Sequence, residues 1–383
     1  MSTTLSDLET RVQSLIRDKT GGFVSSDDIK ESANRGLRFL QSELGLHSSK
    51  NRYDFDVFPN VYEYPLPTDF HDPITIQERG EPINFYAKSP DEFWLRINEE
   101  DRTFAVDSIL GNKFLLVNYG SAGSSKLLHN CDSLTDNGSW TADATTDALN
   151  LTLDEINEKK GSGCLNFDFD VSQSANNYAS IYNSDMDAVD LSDEEDAGTI
   201  FLYVNIPDST YISSVTVYWG SSASAYWSGS ATTQYNGAAF RNGWNRIGVA
   251  WATATETGSP DSSSVDYLSV RITYSSSQTD DTDFLIDDIR CETPEKLELH
   301  YYSTYVVQSA AGTNQAAFSA TDDLLLLEDQ EADLLLYYIL QDAHMLKEQF
   351  SEMGVAQARF AQALQNYKVR YLSERSRPTR RYY

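Results

Sequence analysis

The chain has 383 residues, long enough for two or three domains with cores of their own. It carries 58 acidic side chains against 29 basic ones, a formal net charge of −29 at pH 7, and such a field weighs against a surface that grips nucleic acid. Three cysteines without a Cys-x-x-Cys pair argue against a stapled secreted scaffold and against a cysteine zinc site.

No basic-plus-apolar leader opens the sequence, and the longest apolar runs, at Leu324–Leu327 and Leu334–Leu340, are too short to span a bilayer. The expectation is a soluble protein made in a cytoplasm, with no membrane partner.

In chain order, Leu5, Leu8, Val12, Leu15 and Ile16 fall at helical spacing and predict a helix over about 4–18, ended by Gly21 and Gly22. A second helix is expected from Ser26, with Asp27 and Asp28 in its first turn, where the helix dipole favours anions. Ile29, Ala33, Leu37, Leu40 and Leu44 form its buried stripe, and Gly45 supplies the stop. Short strands are expected at about 53–58, 74–78, 93–97, 103–106 and 113–119. Between the first two, the prolines of the segment Tyr62 to Phe70 keep the backbone extended.

The strand-like run Lys113 to Tyr119 stops at a Gly/Ser stretch, and its natural hairpin partner, Lys296 to Tyr302, returns only about 175 residues later. Between them the rhythm changes. Apolar or alternating runs recur at 149–153, 164–169, 178–182, 199–206, 213–219, 245–251, 265–274 and 284–290, separated by Gly/Ser/Asp turns, the pattern of a β-sandwich or jelly roll. This stretch also holds 27 acids against 7 bases, net −20, and all three cysteines; Cys131 and Cys291 lie near its two ends. After the returning strand a loop leads into a helix predicted over 322–352, broken at Gly354, and a last helix over 355–373.

The predicted fold class is therefore multidomain α+β: a split helical-bundle domain with a small β-element, into which an all-β jelly-roll sandwich is inserted. The expected boundaries are 1–120 and 296–369 for the two parts of the outer domain, 121–295 for the insert, and 370–383 for a basic tail.

The outer pieces resemble bacteriophage head-to-tail adaptor (connector, or neck) proteins. The resemblance rests on the helix opening Ser25 to Phe39, the segment Tyr64 to Phe70, the strand ending Leu299 to Tyr302 and the Ala/Gln/Leu/Tyr-rich C-terminal helix pair. It implies a structural virion protein in the neck, assembled in the host cytoplasm as a homo-oligomeric ring, commonly a dodecamer. Portal and tail or neck proteins are the implied partners, and genomic DNA passes through the lumen without sequence-specific binding. It also implies a C-terminal segment that docks on the portal. Here that segment holds Arg370, Tyr371, Arg375, Arg377, Arg380, Arg381, Tyr382 and Tyr383 against a lone Glu374, a set suited to a carboxylate-lined groove. A solvated chain end and a DNA contact stay open as alternatives.

The insert resembles jelly-roll carbohydrate-binding modules in its opening Leu127 to Ser133, its segment Lys159 to Phe167 and its closing Phe284 to Ile289. By that resemblance Asp132 and Asp287 are ligands of a structural calcium ion; two ordinary surface aspartates are the alternative. No other cofactor is expected. Tyr226, Trp227 and Tyr235 lie in a Gly/Ser/Asn-rich stretch and are candidate stacking platforms for sugar rings, while Trp219, Trp244 and Trp251 are assigned to the core. A glycan-binding attachment protein is thus the second functional reading. No Gly-x-Ser-x-Gly, His-Glu-x-x-His or phosphate-loop motif is present, and the five histidines form no ligand-spaced cluster, so no catalytic residue is expected.

Overall fold

The computed structural model describes residues 3–18, 22–78, 85–98, 101–109, 112–120, 123–174 and 176–372. The chain divides into two compact units, Met1–Tyr53 with Pro67–Thr75 and Glu298–Tyr383, and Asp54–Leu66 with Ile76–Leu297. The α-helices among the described residues are α1 (Leu5–Leu15), α2 (Ser26–Glu43), α3 (Pro90–Leu95), α4 (Asp329–Leu346) and α5 (Phe350–Tyr367).

In the first unit, three helix starts carry reciprocal caps: Thr4 with Asp7 on α1, Ser25 with Asp28 on α2 and Glu328 with Glu331 on α4. Leu5, Leu8 and Val12 share one core with Ala33, Leu37 and Leu40 of α2 and with Leu335 and Ile339 of α4. Gly36 permits that approach: a Cβ there would lie 2.8 Å from Leu335 and 2.9 Å from Tyr338. Two buried carboxylates tie loops to this frame. Glu331 accepts from the amide of His47, the hydroxyl of Ser48 and the phenol of Tyr367. Asp69 accepts from Tyr301 at 2.8 Å and Ser303 at 2.6 Å.

Several expected elements fall elsewhere. Residues 322–328 are not helical, because Leu324–Leu325 pairs with Thr3–Thr4 and with Val307–Gln308 in a small sheet. The helix break lies at 347–349, where Glu348 takes a positive φ of 55°. Gly354, the expected breaker, sits inside α5. Residues 90–95 form α3 instead of a strand, since Ser89 caps the helix and Pro90 occupies its first turn.

The expected hairpin is also absent. Asn112–Asn118 pairs with Thr103–Ile109 and Glu63–Pro65. Glu295–Ser303 instead lies between Lys50–Val57 and Phe70–Glu78 in a three-stranded sheet.

The second unit is dominated by two six-stranded antiparallel sheets packed around one core that includes Leu165, Phe167, Ile200, Leu202, Val217, Trp219 and Val270. One sheet runs 148–154, 164–169, 281–292, 199–206, 243–250, with 125–129 joined to 281–292. The other runs 255–257, 225–231, 212–222, 267–274, 178–183, 140–142. Ser125–His129 pairs with the last strand at 289–292, so the two ends of this sandwich lie side by side.

The split helical-bundle adaptor architecture therefore does not describe this chain. About 39% of the described residues are strand and 23% helix, and the sandwich is the largest body. The strands of the small β-element divide between the two units. Within the second unit, Phe58 and Tyr64 bring it against the outer face of the first sandwich sheet, with ring centroids 5.0 Å from Phe201 and 6.0 Å from Tyr235 respectively. Burial of these aromatic rings stabilises that placement on the sandwich.

Candidate functional site

Strand alternation decides what each sandwich sheet shows to the outside. In the second sheet Val215, Val217 and Trp219 point into the core, as do Leu268, Val270 and Ile272 on the neighbouring strand. Their sequence neighbours Thr216, Tyr218, Tyr267, Ser269 and Arg271 therefore face outward. The register places Tyr218 opposite Ser269 on one side and Ser228 on the other, and Thr216 opposite Arg271.

These side chains form a connected face. Tyr218 and Tyr226 meet edge to face at 5.3 Å between ring centroids, and Tyr226 lies 6.3 Å from Tyr267. The Arg271 guanidinium sits 4.0 Å from the Tyr178 ring centroid and 5.0 Å from that of Tyr218, distances at which the ring quadrupole attracts a cation. Thr216 and Ser230 share a hydroxyl hydrogen bond of 2.7 Å. Burial raises the Tyr218 phenol above its ordinary value, partly opposed by Arg271, and it raises Tyr267 as well. Both phenols stay protonated and can donate.

The expected sugar-stacking residues separate. Tyr226 lies on this face. Trp227 has the opposite parity and is buried in the core, 4.8 Å from the Trp251 ring. Tyr235 covers the other sheet, where Gly248 leaves it room: a Cβ at that position would lie 2.5 Å from the Tyr235 ring. There Tyr235 helps line a cavity of about 260 Å³ together with Tyr62, Trp94, Tyr203 and Trp244. Trp244 is thus half-exposed, whereas Trp219 and Trp251 are core residues as the sequence suggests. Tyr178, Tyr218, Tyr267 and Arg271 were not singled out from the sequence. Their signal was the alternation Tyr267, Ser269, Arg271, which shows one strand's face without revealing its neighbours.

The two expected calcium ligands bracket one loop. Asp132 Oδ1 accepts the amides of Ser162 and Gly163, and Asp287 Oδ2 accepts those of Lys159 and Lys160. Asp287 sits where the last strand shifts register, beside Asp288 at a positive φ of 52°. Its other oxygen, Oδ1, is buried with no hydrogen-bond partner. Burial pushes the Asp287 carboxyl up to about 6, and the charges of Asp288 and Asp132 add to the effect. An unpaired buried carboxylate oxygen beside a second carboxylate fits a hard cation. Among the described residues no three His, Cys, Asp or Glu side chains gather around one point, so carbonyl oxygens or water would complete such a shell.

Of the named residues of the basic tail, Arg370 and Tyr371 are among those described, in the short helical stretch Lys368–Leu372 that follows α5. Tyr371 donates to Glu328 at 3.1 Å and lies 5.1 Å from the His47 ring. Arg375, Arg377, Arg380, Arg381, Tyr382 and Tyr383 lie outside the described residues.

No family model matches this chain, and no curated protein matches it. Solved structures do. An exo-β-agarase is similar at 11% identity and a TM-score of 0.30, over 44% of this chain and 24% of that one. The family 30 carbohydrate-binding module of a Clostridium thermocellum cellulosomal cellulase is similar at 9% identity and a TM-score of 0.29, over 45% of this chain and 96% of the module. A family 61 module solved with β-1,4-galactotriose gives 8% identity and 0.25, over 43% and 97%. The chain spans about a quarter of the agarase's length. At these scores the likeness carries no weight of its own, and the sandwich stands on its strand pairing.

Proposed function

We propose that the second unit binds a glycan on the outer face of its Tyr-rich sheet. The observation that carries this reading is the chain of ring contacts Tyr178, Arg271, Tyr218, Tyr226, Tyr267 along one sheet face bordered by serine and threonine hydroxyls. Aromatic faces accept the C–H side of a sugar ring, while hydroxyls and a guanidinium match its oxygens. The sheet fixes these groups on a rigid surface, so little ordering entropy is lost on binding. Glycan-array binding by the full chain tests the reading, with Tyr218→Ala and Tyr226→Ala as partners. Binding that is absent in the wild type, or that survives both substitutions, sinks it.

We also propose that Asp132 and Asp287 hold a calcium ion that braces the loop 159–163 against the last strand. The buried free Oδ1 of Asp287 supports this.

A second functional reading, the neck-located virion adaptor, is favoured by one feature of the first unit. Helix α5 buries only Ala356 and Tyr367, and it leaves Phe350 65% and Val355 53% exposed. Such a face suits a neighbouring subunit in a ring that contacts portal and tail proteins. Native mass measurement separates a ring from a monomer, and a monomer at high concentration removes this reading.

A further inference from the structure

The sandwich segment is strongly acidic, yet one of its faces carries no acid. On the four central strands of the Tyr-rich sheet, Tyr178–Asn183, Ile212–Ser222, Ala225–Ala231 and Tyr267–Tyr274, the outward-facing positions hold Tyr, Ser, Thr or Gly, with the single exception of Arg271. The surrounding stretch 121–295 has 27 carboxylates. A lone arginine in such company would ordinarily find a carboxylate partner.

Arg271 has none. Among the described residues its side chain makes no ion pair or hydrogen bond, and its Nε is buried without a partner. Its guanidinium is instead held beside the rings of Tyr178 and Tyr218, within 4.0 and 5.0 Å of their centroids. The rings hold the guanidinium in place, while its donors are left without a protein acceptor. A planar, pre-oriented guanidinium is suited to two-point recognition of a carboxylate or another oxyanion. At physiological ionic strength charges beyond about 8 Å are largely screened, so only acids close to this face, such as Asp143, whose charge reaches Tyr267, act against an incoming anion.

We propose that the glycan taken by this face is anionic, a saccharide bearing a carboxylate or a sulfate ester that seats on Arg271 while the tyrosines carry the sugar ring. The inference rests on the glycan-binding reading and narrows its ligand class. The shared chemistry is an oxyanion on a pyranose. Arg271 would then set specificity, and the tyrosines would supply most of the contact area.

Calorimetric titration of the full chain with oligogalacturonate, its neutral methyl ester and a sulfated oligogalactoside tests this. The wild type should bind at least one of the two acidic ligands about tenfold or more tightly than the ester, the range of a charge-assisted hydrogen bond. Preference for oligogalacturonate assigns a carboxylate, and preference for the sulfated ligand assigns a sulfate ester. Arg271→Met should abolish the preference, and Arg271→Lys should keep part of it. Equal or tighter binding of the ester overturns the inference while leaving the platform reading intact. No binding of any of the three, alongside an empty glycan array, removes both. If Arg271→Met does not fold, the acid-to-ester comparison on the wild type decides alone.

Discussion

Asp132 and Asp287 are 155 positions apart in the sequence, yet they grip the same loop from two sides, each accepting two consecutive main-chain amides between Lys159 and Gly163. One carboxylate follows the sandwich's first strand and the other belongs to its last, so the loop is fastened to both ends of the domain. Asp287 does this with one oxygen and keeps the other buried and free.

From this arrangement we expect calcium to stabilise the second unit. At calcium a hundredfold above its dissociation constant the gain is about 2.7 kcal/mol, which raises the melting midpoint by roughly 5 to 10 °C for a domain of this size. Scanning calorimetry with calcium and with a chelator measures it. Asp287→Asn should remove the calcium response. Identical melting in both buffers would remove the ion from the proposal.

Asp69 is the corresponding buried hub of the first unit. It accepts from Tyr301, Ser303 and Asn51, and burial, reinforced by this carboxylate, holds the Tyr301 phenol well above its ordinary value. Asp69→Ala leaves those donors unpaired, and we expect a loss of about 2–4 kcal/mol. Urea unfolding followed by the helical signal measures it. A change below about 0.5 kcal/mol would show that water replaces the carboxylate at no cost.

Trp227 and Trp244 should respond in opposite ways to the same substitution. Trp227→Ala opens the sandwich core beside Trp251, and we expect it to cost about 3–5 kcal/mol. Trp244→Ala, on the lining of the cavity, should cost about 1 kcal/mol. Comparing their denaturation midpoints checks the parity of both strands. Similar losses would mean that one strand is out of register.

The thiols offer a pH readout. Cys131, Cys164 and Cys291 are buried and unpaired. Burial pushes Cys164 and Cys291 up to about 12 and raises Cys131 as well. The thiolate is the reactive form, so alkylation at pH 8 should leave the folded protein unmodified and label all three cysteines after denaturation, as read by mass spectrometry. The native state holds these protons more tightly than the unfolded chain does. The stabilising difference is full below about pH 8.5 and is lost as pH rises towards 12. Rapid labelling of the native protein at pH 8 would contradict the burial.

The sequence made the sandwich strands legible because alternation and turn chemistry are local. Cys164–Phe169 and Thr199–Ile206 were bounded correctly from residue pattern alone. Strand partnership is not local. Lys113 to Tyr119 and Lys296 to Tyr302 look like two halves of a hairpin, yet each finds other partners, because extended apolar runs carry no mark of their mate. The same limit governed the site. Tyr226 was readable as a candidate stacking aromatic, whereas Tyr178 and Arg271, 93 residues apart in the sequence, meet only because their two strands lie side by side. Trp227 and Trp244 were interchanged because both sit in alternating stretches, and only the register says which parity is inward.

The pairing of Thr3–Thr4 with Leu324–Leu325 has a consequence for biosynthesis. A ribosome emits α1 and α2 long before the segment that completes their sheet and core exists. During that wait the apolar stripe of α2 lacks its cover from α4, and the sandwich can close first. Translation order therefore makes the nascent α1–α2 segment the stage most in need of chaperone protection, and a premature stop anywhere before Leu324 strands it there.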